Sequence, residues 1–269
     1  MRSSPLATTR QANGDAALLR TPTLNEDQIA RFKNDGYLVV RAGFDGNEMR
    51  VIDAWAREVE VMPEVSGRQW VYHEKSLKDP DRQLIARIEN IAPFHAGFGE
   101  LSGALTRAAG QLLGEEAVLF KEKINFKMPG GAGFKPHQDA QAGWDAYADY
   151  FINVLVCIDA ATPENGCLKV VAGQHRRGLF RSWEPLTEAD MQGMEFVDCP
   201  TEPGDLVFFD SFAPHASDAN MTDATRRLYY ATYNRASAGD HMARYYADKH
   251  KNYPPDIDRQ AGREYRFRV

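Results

Sequence analysis

The stretch Phe134-Lys-Pro-His-Gln-Asp-Ala140 is the one around which the rest of the chain is organised. His137 and Asp139 stand two residues apart, so on an extended backbone their side chains leave the same face. One imidazole and one carboxylate on one face make two thirds of the 2-His-1-carboxylate arrangement. That arrangement holds Fe(II) and leaves positions open for oxygen and a co-substrate. His215 is the obvious third member: it follows the apolar run Asp205-Leu-Val-Phe-Phe209 and sits in Ser211-Phe-Ala-Pro-His-Ala-Ser217. Arg226 follows, opening the run Arg226-Arg-Leu-Tyr-Tyr-Ala-Thr-Tyr233. An arginine there can grip a dicarboxylate through its planar fork, a geometry lysine does not reproduce. Ser217 can donate a hydrogen bond to the same carboxylate. Arg227 leaves the opposite face of such a strand and reads as a surface charge.

Composition narrows the function classes. The 269 residues are 43% hydrophobic and 11% aromatic, enough for a substantial core. With 32 basic against 38 acidic residues and no Lys/Arg block, nucleic-acid binding has no electrostatic footprint. No apolar run reaches the ~18 residues that a spanning helix needs. The expected partner is therefore a small molecule, with neither nucleic acid nor membrane. The first 20 residues lack the apolar core of a secretory signal. Cys157, Cys167 and Cys199 are odd in number and form no C-x-x-C pair, which argues against a disulfide framework and structural zinc. A reducing cytoplasm is the expected compartment.

Residues 1–22 show no periodicity and are expected to be a disordered tail, followed by one domain over 23–269. Thr23-Leu-Asn-Glu26 reads as a capping box opening a short helix that Asp35-Gly36 ends. Tyr37-Leu-Val-Val40 follows as a strand, then a helix over about 46–62 and another closed by Gly114. Between them, 63–93 reads as loop with a strand at Ile85-Ala-Arg-Ile88. From 117 the period becomes two: Val118, Phe120, Glu122, Ile124 and Phe126 share one face, and Leu119, Lys121, Lys123, Asn125 and Lys127 the other. That second face is either a solvated exterior or a polar cavity wall, with Asn125 the strongest candidate for the cavity. Pro129-Gly-Gly-Ala-Gly133 is a turn, because no strand–loop–helix order makes it a phosphate cradle. Further strands are expected at 150–158, 167–171, 205–209 and 226–233, with a short helical excursion at 187–194. Helices first and many short strands after them predict an α+β fold, a double-sheet jelly roll buttressed by N-terminal helices.

Taken together, these landmarks resemble the phytanoyl-CoA dioxygenase family of Fe(II)/2-oxoglutarate oxygenases, over about residues 24–233. The residues that carry the likeness are the opening Leu24 to Val40, His137-Gln-Asp139, Asn165-Gly-Cys-Leu168, Ala172-Gly-Gln-His175, Pro203-Gly-Asp-Leu-Val-Phe-Phe209, and His215 followed by Arg226. The resemblance implies a double-stranded β-helix of the cupin type, with His137, Asp139 and His215 as iron ligands. It implies Arg226 as anchor of the distal carboxylate of 2-oxoglutarate, with Asn125 and Ser217 assisting, and O2 as second co-substrate. His175 matches a position outside the triad. Leu155 stands where many members carry tryptophan, and Gln174 where serine is usual. Asp139 is present, and halogenating members replace this carboxylate by a small residue, so the chain is expected to hydroxylate.

The substrate is the less determined part. Trp144, Asp145, Tyr147 and Tyr150 could cage an ammonium group or simply pack. Arg176 and Arg177 could meet a phosphonate, phosphate or carboxylate, or stay solvated. Lys121-Glu-Lys-Ile-Asn-Phe-Lys-Met-Pro-Gly130, with the tail Tyr245 to Pro255, is similar to a bacterial subgroup that hydroxylates 2-aminoethylphosphonate and its N-methylated relatives. The implied reaction is hydroxylation of the carbon next to phosphorus. The alternatives are the same chemistry on a natural product, a quaternary amine or an acyl chain, or a cupin-like ligand-binding protein without turnover.

Overall fold

The computed structural model of the protein describes residues 18–265. Among them, α1 (Glu26–Asp35), β1 (Tyr37–Val40) and α2 (Gly46–Glu60) lead into the hairpin of β2 (Trp70–Lys75) and β3 (Gln83–Glu89), followed by α3 (Ala96–Leu113). The strands β4 (Ala117–Lys127), β5 (Phe134–His137), β6 (Phe151–Cys157), β7 (Leu168–Val170), β8 (Val197–Cys199), β9 (Leu206–Asp210), β10 (His215–Ser217) and β11 (Arg226–Arg235) come next. The helix α4 (Met242–Asn252) then packs back on β4. Seven strands form one antiparallel sheet in the order β1-β9-β6-β11-β4-β3-β2, and four form a second in the order β5-β10-β7-β8. This is the expected helix-buttressed jelly roll.

Two apolar layers follow from the alternation of side chains along the strands. On one face of the large sheet, Ile124, Phe126, Ile152, Val154, Val156, Tyr229 and Ala231 pack with Phe98, Leu101, Leu105 and Ala108 of α3. On the other, Leu155, Cys157, Val207, Phe209 and Leu228 meet Leu168, Val170 and Cys199 of the small sheet. Leu155, at the usual tryptophan position, is thus part of the inter-sheet layer.

Several sequence expectations shift. The capping box of α1 is Asn25 with Gln28, each side chain bonded to the other's backbone amide at 2.9 Å, not Thr23 with Glu26. The cause lies one residue earlier: Gln111 accepts from the Leu24 amide and donates to its carbonyl, both at 2.7 Å, and holds the chain extended there. The expected tail lies outside the described residues up to position 17, but its end is anchored. The amides of Leu18 and Leu19 donate to Glu100, and that of Arg20 to Glu48. The strand β2 was not expected, and α2 stops two residues short of 62. The 187–194 segment is a set of turns, because Asp190 accepts from the amide and hydroxyl of Thr187 (both 2.7 Å) and from Arg181, a local knot that competes with helix. Arg227 is not a surface charge. Only 7% exposed, it donates to Asp159 (2.7 and 2.8 Å) and Asp53 (2.6 Å).

Gly36 requires its glycine. At φ +79° it ends α1 in the left-handed region, and an added Cβ would come within 2.3 Å of the His175 ring. His175 therefore has a packing role at the end of α1. Among the described residues no helix is long and apolar enough to cross a membrane.

Candidate active site

The two sheets enclose a cavity of about 710 Å³, and the small sheet supplies its chemistry. His137 ends β5 and His215 begins β10, and the antiparallel register sets them directly opposite each other. Their ring centroids lie 4.2 Å apart. After Gln138 in extended conformation, the chain turns at Asp139 into a single 3-10 turn. This brings Asp139 Oδ1 to 3.7 Å from His137 Nε2 and 3.9 Å from His215 Nε2. The three ligand atoms lie within 4.8 Å of one another.

The donor set fits a divalent transition metal. His137 Nδ1 lies 2.7 Å from the Lys135 carbonyl and His215 Nδ1 lies 3.0 Å from the Ala213 carbonyl. Each Nδ1 therefore carries the proton, and each Nε2 turns its lone pair inward. Burial, with the neighbouring His137, pushes the His215 imidazole down to about 4, so it is neutral at physiological pH. Burial alone would raise Asp139, yet His137, His215 and Lys121 together hold it well below the carboxylate range. Two imidazoles that present Nε2 and one carboxylate are the ligand types that suit Fe(II).

Two residues along β11 and β4 from the cavity-lining Asn125, Arg226 is 2% exposed and pairs in register with Lys127. Arg226 Nε and Asn125 Oδ1 are buried without a hydrogen-bond partner, which an anionic ligand would relieve at the guanidinium. Lys127 Nζ donates to Ser217 Oγ at 2.8 Å, to the Gly166 carbonyl at 3.3 Å and to the Asp218 carbonyl. Burial and the adjacent Arg226 push Lys127 down to about 7, while these three acceptors use every N–H of its charged form.

The remaining wall carries cationic and aromatic side chains together with the carboxylates of Glu89, Asp248 and Glu264. Lys121 and Lys123 of β4 line it, so the second face of that strand is a cavity wall. Arg87 and Glu89 of β3 face the same space, with Lys249, Tyr245 and Tyr253 from α4 and just beyond it. Glu89 binds Arg87 Nε at 2.8 Å and also Lys249; burial alone would raise its carboxyl, but these two cations bring it down to about 2. Phe120 leaves the expected face. A register shift opposite Thr232 and Tyr233 marks a bulge, and its ring packs with Trp144, Phe151 and Tyr245. Trp183 stands at the mouth with φ +65° and 46% exposure.

Of the four residues expected to touch substrate, Trp144 and Tyr147 line the cavity and two do not. Asp145 is solvent-exposed, on the far side of the short turn that buries Trp144. Arg176 is exposed too, bound to the carbonyl and side chain of Asn34 at the end of α1. Tyr150 is engaged with Asp210 through a 2.7 Å hydrogen bond. Sequence reasoning missed Arg87, Glu89 and Lys249. Arg87 and Glu89 had a signal, two charged residues at i and i+2 among the apolar Leu84, Ile85, Ala86 and Ile88, while Lys249 is brought in by the packing of α4.

Comparison with known proteins agrees with this geometry. The sequence profile of phytanoyl-CoA dioxygenase (PhyH) matches residues 32–228. A 2-aminoethylphosphonate dioxygenase from an uncultured bacterium is 36% identical over 245 residues, 89% of this chain and 93% of that protein. A methylphosphonate hydroxylase from Gimesia maris is 37% identical over 242 residues, 86% and 88% of the two chains. The crystal structure of EctD from S. alaskensis with 2-oxoglutarate and 5-hydroxyectoine superposes with a TM-score of 0.70 at 23% identity, covering 87% of this chain and 88% of EctD, and shows the shared fold. The chain belongs to the phytanoyl-CoA dioxygenase family of Fe(II)/2-oxoglutarate-dependent oxygenases.

Proposed function

We propose that the protein hydroxylates the carbon next to phosphorus in a small phosphonate, 2-aminoethylphosphonate or an analogue, within a single catalytic domain over 23–269. The observation that carries this reading is the cluster of cationic side chains, Arg87, Lys121, Lys123 and Lys249, in the cavity onto which His137, Asp139 and His215 open. A compact polyanion is the substrate such a wall suits. The two relatives that act on phosphonates by name support it.

In this reading His137, Asp139 and His215 hold Fe(II). Arg226 takes the distal carboxylate of 2-oxoglutarate, and Asn125 and Ser217 complete that end. The bound metal, with 2-oxoglutarate and O2, supplies the oxidising power that turns a C–H into a C–OH while 2-oxoglutarate leaves as succinate and carbon dioxide. The chain orients and excludes water. The carbonyls of Lys135 and Ala213 fix both imidazoles, Lys127 fixes the Ser217 hydroxyl, and the rings of Trp144, Tyr147 and Tyr245 exclude water from one side. The complete His, Asp, His and Arg set argues against a ligand-binding protein without turnover.

The test is succinate formation by anaerobically prepared protein given Fe(II), 2-oxoglutarate and oxygen, with and without phosphonates. Phosphonate-stimulated succinate that His137→Ala and Asp139→Ala abolish is the expected result. Stimulation only by acyl compounds, quaternary amines or other non-phosphonates would overturn the substrate class.

A further inference from the structure

The four polar residues on the cavity face of β4 differ in what already holds them. Lys127 is saturated by Ser217, Gly166 and Asp218. On the neighbouring β3 and on α4, Arg87 and Lys249 share the Glu89 carboxylate. The Lys121 and Lys123 ammonium groups make no hydrogen bond or close ion pair among the described residues, although both feel the Asp139 and Glu89 carboxylates. Each lies over ring faces: Lys121 Nζ lies 4.4 Å from the centre of Trp144 and 5.8 Å from that of Tyr245. Lys123 Nζ lies 5.1 Å from Tyr230 and 5.9 Å from Phe134.

Two consequences follow from this placement. Residues at i and i+2 of a strand are about 7 Å apart, so two lysine termini can close on the oxygens of one tetrahedral group. The same strand runs on about 13 Å to Lys127 beside Arg226, so the substrate anion and the 2-oxoglutarate anion have separate ends of one wall. The Trp144 face, meanwhile, is already taken by the protein's own ammonium. A substrate ammonium directed there would meet Lys121 as a like charge.

We propose that Lys121 and Lys123 are the anion subsite that grips the substrate, and that the cavity selects for the phosphonate group alone, with no requirement for an amine. This rests on the phosphonate reading above and makes it narrower: simple alkylphosphonates are substrates on the same footing as 2-aminoethylphosphonate. The two near-equal relatives, one acting on each kind by name, leave that choice open. The aromatic faces hold the lysines in place by cation–π contact until the anion arrives.

The experiment is calorimetric titration of methylphosphonate and of 2-aminoethylphosphonate into the Fe(II)/2-oxoglutarate-loaded protein without oxygen, followed by kcat/KM for both. Wild type is expected to bind both within tenfold of each other. Lys121→Met and Lys123→Met are each expected to weaken both at least tenfold, leave 2-oxoglutarate affinity within twofold, and retain the wild-type melting transition. Lys123→Arg should recover most of the binding. Unchanged phosphonate affinity in the double Met variant would overturn the subsite while leaving the enzyme reading standing. Binding of 2-aminoethylphosphonate without methylphosphonate would overturn selection by the anion alone. Wild type that binds no phosphonate would overturn both the subsite and the proposed substrate class.

Discussion

The Glu122 carboxylate accepts a 2.6 Å hydrogen bond from the amide of Ile91, deep in the core and on the opposite side of β4 from the cavity. The Ala92 amide donates to the same oxygen at 3.0 Å, while the other carboxylate oxygen is buried without a partner. Burial pushes this acid up to about 8, against the two amides and with the charge of Glu89 adding to the rise. The phenols of Tyr229, Tyr233 and Tyr246 are the other titratable groups near it. Since the folded state holds the proton more tightly than the unfolded chain, the stability from this group is full below about pH 4.5 and is lost as pH rises through about 8. The loss by pH 7 is on the order of 3 kcal/mol. Glu122→Gln keeps the acceptor and cannot ionise. Urea unfolding at pH 5 and pH 8 should show the variant gaining on wild type with rising pH; a constant difference would place the Glu122 pKa in the ordinary range.

Arg226 should be irreplaceable by lysine. Arg226→Lys keeps the charge but loses the fork, and a lost charge-assisted hydrogen bond costs about 1.5–3 kcal/mol. We expect the KM for 2-oxoglutarate to rise by ten- to a hundredfold, with smaller effects on the phosphonate KM. Equal effects on both constants would mean the arginine supports the whole cavity.

The Arg227 ion pairs should matter for the fold and not for turnover. Arg227→Ala leaves Asp159 with only the backbone amide of residue 227, and Asp53, whose side chain is 34% exposed, with only Arg57. A loss of about 2–3 kcal/mol is expected, below the full cost of breaking a buried pair because water screens Asp53. The chemical melting midpoint should fall while kcat of the folded fraction is retained.

Asp145→Ala and Arg176→Ala should leave the phosphonate KM within twofold of wild type, since both side chains lie outside the cavity. A tenfold rise in either would require that segment to close over bound substrate.

Much of this was legible in the sequence, and what was not has a physical reason. The period of two in β4 showed its alternation, and the structure resolves in favour of the cavity the choice between solvent and cavity for Lys121, Lys123 and Asn125. The spacing of His137 and Asp139 on an extended chain was close to what occurs, although Asp139 already begins a turn. Periodicity failed where one extra residue changes the register: the bulge that redirects Phe120 leaves no mark in composition. It failed again for Arg227, where alternation correctly turned the side chain away from the cavity but could not show that Asp53 of α2 and Asp159 wait on that side. Asp145 and Arg176 have charges that suit an ammonium and a phosphonate, but charge does not fix direction, and short 3-10 turns point neighbouring side chains in different directions.

His137, Asp139 and His215, which could hold a metal ion, come from the small sheet and the turn after β5, whereas the lysines and arginine of the cavity wall come from β4, β3 and α4. The two groups of residues therefore sit on separate pieces of backbone that face each other across the cavity and are tied directly by Lys127 and Ser217. Under the proposal above, exchanging the side chain at position 123 would retune the preferred substrate, whereas position 121 also bears on the charge of Asp139; neither position contributes to the α3 core. A scaffold divided in this way can acquire new substrates by drift in one half while selection keeps the other constant.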